Sequence, residues 1–270
     1  MTIGRARFAF TVLAFGYAFL YLPIALVIVY SFNESRLVTV WAGFSTKWWV
    51  ALFHNDAMLD AAWLSLRIGL VSATVATGLG LAAGYVLARV PRFVGRTLFA
   101  SLVIAPMVMP EVVMGISMLL LFVGSDQLVG GPERGFLTIT AAHVTFSLAF
   151  VAIVVQARLA DFDRALEEAA MDLGATPWMT FVTVTLPLIA PALVSGWLLA
   201  FTLSLDDLIL TQFVAGAQSQ TLPMRVYSSV RLGVDPQINV LATIVIVIAA
   251  TALVASATLT RRSVDKRGPQ

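Results

Sequence analysis

Apolar residues in this chain do not alternate with polar ones; they run in long blocks, each closed off by charge, proline or glycine. Six such blocks stand out, at about residues 8–32, 61–88, 97–123, 136–156, 188–214 and 238–259. Crossing about 30 Å of hydrocarbon takes about 20 apolar residues in a helix, so each block has spanning length. Helix is the state they predict, because a lone strand facing lipid leaves its backbone groups unpaired and the period-2 alternation of barrel strands is missing. The expected fold is therefore all-α: a polytopic membrane protein with six transmembrane helices in one membrane domain over residues 1–270. The first block follows Arg5 and Arg7 as a signal peptide would, but it is much longer than a cleavable apolar region and lacks a clear small-x-small site, so a retained helix is expected.

Composition removes the soluble alternative. Hydrophobic residues make up 59% of the 270 and charged ones 12%, about half the charge of a typical globular domain. The formal charge of +2 does not mark a nucleic-acid binder, since the basic residues are scattered at block ends and not gathered on one face. They sort by side. Arg5, Arg7, Arg89, Arg92, Arg96, Arg158, Arg164, Arg261, Arg262, Lys266 and Arg267 fall on one side; Arg36, Lys47, Arg134, Arg225 and Arg231 fall on the other, with Arg67 near the outer end of the second block. The richer side predicts the cytoplasm, with both termini in it. Trp41, Trp48 and Trp49 in the outer loop 33–60 suit the headgroup level, and short interfacial helices are expected there. Gly69, Gly78, Gly80 and Gly84 lie on neighbouring turns of the second block, as close helix packing requires. There is no cysteine, which excludes disulfides and thiolate chemistry.

The longest cytoplasmic loop, 158–187, is no plain connector. Asp161 or Asp163 can cap a helix with an acidic first turn; Leu166, Ala169, Ala170 and Leu173 form an apolar stripe; Gly174 supplies a left-handed exit. Thr176 and Pro177 then open a second short helix carrying Trp178 and Phe181. Asp161, Asp163, Glu167, Glu168 and Asp172 outnumber Arg158 and Arg164, so an anionic lipid surface should repel this segment, and a protein partner is favoured.

Here a resemblance enters. Glu168-Ala169-Ala170, then Gly174, Val184 and Leu186-Pro187 follow the "EAA...G.........I.LP" signature, with Val184 in the place of the usual isoleucine. The chain thus resembles the binding-protein-dependent ABC importer permeases. The strings "LVTVWAGFSTKWW", "APMVMPEVVMGISMLLLF", "EEAAMDLGATP", "SGWLLAFTLSLDDLILTQFV" and "TLPMRVYSSVRLGVDPQINVLATI" are similar to the polyamine branch, specifically the second membrane subunit of putrescine or spermidine importers. The resemblance implies that the loop is a coupling helix between helices 4 and 5, with Glu167, Glu168, Ala169, Ala170, Asp172, Leu173, Gly174 and Pro177 as the candidates for contact with a cytoplasmic ATPase dimer. It also implies a second homologous permease subunit, a periplasmic substrate-binding protein and a bacterial inner-membrane location.

The residues themselves agree that any motor is a separate polypeptide. The only lysines, Lys47 and Lys266, lie outside any phosphate-cradling GxxxxGK[ST] setting, so ATP and Mg belong to the partner and this chain needs no cofactor. No nucleophile-base-acid set appears; His54 sits in the outer loop, and His143 within a block reads as a packed or hydrogen-bonded helix residue before it reads as a proton relay. Three acids lie inside apolar blocks: Glu111, just after Pro106 and Pro110, which predict a kink, and the adjacent pair Asp206-Asp207. Two readings compete for them. They line a path and hold the ammonium groups of a polyamine, or they pair with Arg67, Arg225 or a backbone donor. Adjacent helix residues point about 100° apart, so Asp206 and Asp207 cannot both face one spot. For the outer side, Trp41, Trp48, Trp49, Arg225 and Arg231 are candidates for a receptor footprint or are headgroup anchors. A proton-coupled secondary transporter is the runner-up, but it predicts inverted repeats that are not seen and leaves the loop 158–187 unexplained.

Overall fold

The computed structural model of the chain describes residues 3–38, 40–233 and 235–265; Lys266 and Arg267 of the charge tally lie outside them. Among the described residues the chain is helical with no strand, apart from one antiparallel bridge between Asn33 and Phe44. In order come α1 (Ile3–Tyr30), α2 (Lys47–Phe53), α3 (Asp56–Arg89), α4 (Arg96–Val108), α5 (Glu111–Val129), α6 (Phe136–Ala160), α7 (Ala165–Asp172) and α8 (Pro177–Thr180), then a π-helical turn (Phe181–Thr185), α9 (Leu186–Asp206), α10 (Ile209–Val214), α11 (Leu222–Leu232) and α12 (Gln237–Asp265). They form two compact units, one of residues Met1–Leu59 with Val226–Gln270, the other of Asp60–Arg225.

In the first unit α12 packs against α1 and α2. The loop after α1 is folded by Asn33, almost fully buried, whose amide donates to the Val40 carbonyl at 2.8 Å while its oxygen accepts from Ser35 and Ala42 N–H groups. Phe32 stacks on Phe44 and Trp49, and a short helix, α2, occupies this loop.

In the second unit α6 is the central helix: of its apolar positions Ile139, Ala142, Ala149, Val151, Ala152, Val155 and Leu159 are buried. It packs on α9, α4 and α10, and α10 packs on α5. Gly80 and Gly84 of α3 allow close approach to α6, since a Cβ at either would come within 2.7 Å of Val151 or 2.6 Å of the Ala152 carbonyl. Gly69 faces Phe201 more loosely, and Gly78 faces nothing.

Among the described residues five helices are long and apolar enough to cross a membrane: Phe8–Tyr30, Asp56–Arg89, Glu111–Val129, Phe136–Ala160 and Pro177–Asp206; Arg96–Val108 and Gln237–Thr251 are shorter apolar helices. The six continuous blocks expected from the sequence are thus altered at two places. The block 97–123 is divided between α4 and α5, because Pro110 has no N–H to donate and forces Met109 (φ −73°, ψ 139°) out of the helical region. The block 188–214 ends as a helix at Asp206, with Asp207 extended (φ −66°, ψ 121°) before α10. No proline causes this second break. Upstream, α9 is continuous with α8 through the π turn, where the Leu186 N–H reaches back to the Phe181 carbonyl; the widening lies immediately before Pro187, which must be fitted into the ladder.

Candidate functional site

Two clusters carry the chain's polar chemistry. The first is the elbow between α6 and α9. The N-cap of α7 is Arg164, with no side-chain cap bond, and not the expected Asp161 or Asp163; Asp163, one residue earlier, accepts from the Ala165 N–H at 3.0 Å through Oδ1. The helix leaves through Gly174 at φ 91°, with the Gly174 N–H on the Met171 carbonyl and the Ala175 N–H on the Ala170 carbonyl, the pairing of a Schellman turn. Thr176 Oγ1 then accepts from the Met179 N–H, and Pro177 occupies the first turn of α8. The outer surface of this elbow is apolar and acidic together: Leu173 is 91% and Trp178 71% exposed, Leu166, Met171 and Met179 are exposed as well, and Glu168 and Asp172 stand beside them, while α7 buries no residue.

Glu167 behaves differently from its neighbour Glu168. Its Oε2 lies 3.0 Å from Arg89 Nε, both side chains nearly buried, and its Oε1 accepts from Thr185 Oγ1 at 2.6 Å. Arg89 also donates from Nη1 to the Leu159 carbonyl at 3.1 Å and lies over the Phe162 ring, and Arg164 donates to the Ala88 carbonyl. One ion pair therefore fastens α7 to the ends of α3 and α6 and to the π turn. Of the residues expected to contact a partner, Glu168, Ala169, Asp172, Leu173, Gly174 and Pro177 are exposed, Ala170 is half-buried and Glu167 faces inward.

The second cluster surrounds the α9–α10 break. Asp207 accepts from the backbone N–H groups of Leu210 (3.3 Å) and Thr211 (2.8 Å), and from the Thr211 hydroxyl, so its carboxylate caps α10. On the other side stands His143 of α6, 2% exposed, with Nε2 3.1 Å from Asp207 Oδ2 and 2.9 Å from Thr211 Oγ1, and Nδ1 2.6 Å from Ser204 Oγ. Ser204 in turn meets Ser72 Oγ of α3 at 3.1 Å. A chain of side-chain hydrogen bonds thus joins α3, α9, α6 and α10. Asp206, the last residue of α9, is exposed, and Glu111, the first of α5, is exposed at the other break. The structure brings Asp207 into a buried network and leaves Asp206 and Glu111 out of it. Arg67, a conceivable partner, lies over the Phe136 ring, and Arg225 donates to Gln220.

The sequence pattern missed His143 and Thr211 as partners of Asp207, Ser204 and Ser72 as the continuation of that chain, and Arg89 as the partner of Glu167. The available signal was a set of polar residues inside otherwise apolar blocks, with Ser204, Asp207 and Thr211 spaced by three and four on successive turns.

Apolar helices of spanning length, with two runs broken beside acids, define a helical membrane protein. The chain belongs to the family of binding-protein-dependent transport system inner membrane components, whose sequence profile matches residues 76–267. It is 53% identical over 247 residues to the putrescine transport system permease protein PotI of Escherichia coli (strain K12), covering 91% of this chain and 88% of that one. To the spermidine/putrescine transport system permease protein PotC of the same strain it is 42% identical over 245 residues, 91% and 90% of the two chains. In fold it is similar to a chain of a bacterial ABC transporter involved in the import of the acidic polysaccharide alginate (TM-score 0.71, 15% identity, 97% and 98% covered). A chain of the bacterial alginate transporter in complex with an alginate pentasaccharide-bound periplasmic protein is similar too (TM-score 0.73, 16% identity, 96% and 94% covered).

Proposed function

We propose that this chain is one permease subunit of an ATP-driven importer for a polyamine, putrescine or spermidine, and that it forms half of the translocation path beside a second, homologous subunit. Its six apolar blocks cross the inner membrane as one domain with both termini in the cytoplasm, and the elbow α7–α8 is the coupling helix that seats in a cytoplasmic ATPase. ATP and Mg act on that ATPase, and a periplasmic binding protein delivers the cargo. The observation that carries the reading is the elbow: an exposed apolar and acidic knob, rigid at its Schellman turn and clamped to the helix bundle through Arg89 and Glu167. Such a knob transmits a push, because force on α7 reaches α3, α6 and the start of α9 through a buried ion pair instead of a slack loop. The polyamine cargo is supported by the 53% identity to the putrescine permease and by acids exposed at both helix breaks, where an ammonium group gains from opposite charge and from broken-helix carbonyls.

Uptake of labelled putrescine into vesicles holding the assembled complex tests this. Uptake is expected to need ATP, the ATPase and the soluble receptor together. Uptake by the isolated chain driven by a proton gradient would overturn the reading.

A further inference from the structure

We infer that His143, acting through Asp207, is a positioning residue that fixes the break between α9 and α10 and thereby sets the direction of Asp206 in the path; this rests on the permease reading above. The break has no proline to impose it, and Asp207 lies inside a run that is otherwise apolar. What holds the chain extended there is the side-chain network. The single Thr211 hydroxyl proton is given to Asp207 Oδ2, so toward His143 Thr211 Oγ1 accepts, which places a proton on Nε2. Nδ1 lies 2.6 Å from Ser204 Oγ, which accepts from Ser72 Oγ. Both imidazole nitrogens have partners, at a site where the histidine is 2% and the Asp207 side chain 9% exposed.

The consequence falls on Asp206. An unbroken helix would bury the carbonyls of its last turn in further hydrogen bonds; the break at Asp207 leaves the negative end of the α9 dipole at Asp206. A carboxylate at a helix C-terminus opposes that dipole, so the position holds two sources of negative potential and calls for a cation. His143 hydrogen-bonds Ser204, Asp207 and Thr211, not Asp206. Its part is to keep Asp207 committed to α10, so that the adjacent acid stays exposed and aimed the other way.

The test uses the full importer, with its ATPase, second permease subunit and receptor, reconstituted in proteoliposomes and assayed with labelled putrescine. Asp206→Asn is expected to lower uptake on the order of tenfold, His143→Leu by a similar factor, and the double variant no further than either single one, because the two act in series. His143→Gln, whose amide N–H and carbonyl can serve Asp207 and Ser204, should recover uptake to within about threefold of wild type. A purely structural histidine would give additive losses, and additivity overturns the inference. A second readout does not depend on transport. The chain has no cysteine, so Asp206→Cys gives a single reporter for a cationic thiol reagent, and adding His143→Leu should shift its labelling rate on the order of tenfold; an unchanged rate overturns the inference. If His143→Leu fails to assemble, His143→Asn, too short to reach both neighbours, carries the same two measurements. Wild-type uptake by Asp206→Asn alone would overturn the path reading and this inference together, whereas a loss in Asp206→Asn with unaffected His143 variants overturns only the inference.

Discussion

Glu167-Glu168 on the elbow and Asp206-Asp207 at the end of α9 are both adjacent acids in helical sequence, and the structure treats the two pairs alike. In each, one acid turns inward onto a nitrogen base and a hydroxyl: Glu167 onto Arg89 and Thr185, Asp207 onto His143 and Thr211. The other, Glu168 or Asp206, is left exposed. On the elbow the rotation of about 100° per helical residue makes this division natural; at Asp206-Asp207 the helix break itself separates the two, Asp207 being extended. Where the pairs differ is in the anchoring group. Arg89 carries a permanent charge and reaches Glu167, the Leu159 carbonyl and the Phe162 ring, whereas His143 meets its acid within a relay of hydroxyls. The lesson is that an acid in a nearly apolar environment is retained when a specific partner neutralises or solvates it, and that its exposed neighbour is the one free to meet something outside the chain.

Breaking the anchors should have the largest effect. Arg89→Met leaves the Glu167 charge nearly buried without its cation, a loss of about 3–5 kcal/mol; the thermal stability and yield of the complex should fall sharply, and adding Glu167→Gln should recover most of both. Next comes the turn that shapes the elbow. Gly174→Val forces a branched side chain to φ 91°, at a cost of about 1–2 kcal/mol, and should weaken co-purification of the ATPase while membrane insertion is unchanged. Removing the α8 cap with Thr176→Ala should cost about 1 kcal/mol, seen as faster protease cleavage of the elbow. The smallest effect on stability belongs to the outward acid: Glu168→Gln should leave the melting temperature within experimental error and lower ATPase affinity severalfold, the scale of a solvent-exposed ion pair of about 0–1 kcal/mol.

The parts of this structure that were legible in the sequence are the local ones. Gly174, Thr176 and Pro177 announce a turn and a helix start because their conformational preferences act within a few residues, and Pro110 announces the first break for the same reason. The apolar blocks announce helices, though not how α4 and α5 divide the third block. The second break was hidden, since it depends on His143, whose partner Ser204 is 61 residues away. The inward turn of Glu167 was equally hidden: Arg89 sits at the end of α3, and only the packing of α3 against α6 through Gly80 and Gly84 brings that end beside the elbow. The sequence pattern could say that Asp206 and Asp207 diverge; which of them is buried depends on what the other helices bring to each side.

The division of labour between adjacent acids is tested most directly by comparing Asp206→Asn with Asp207→Asn in one assembled importer, with thermal unfolding and putrescine uptake measured on the same preparations. Asp206→Asn should melt with the wild type and lose most of its uptake, while Asp207→Asn should melt lower, by about 1–3 kcal/mol of stability for a buried network left with a mismatched member. A destabilised Asp206→Asn beside an Asp207→Asn that melts and transports like the wild type would contradict it.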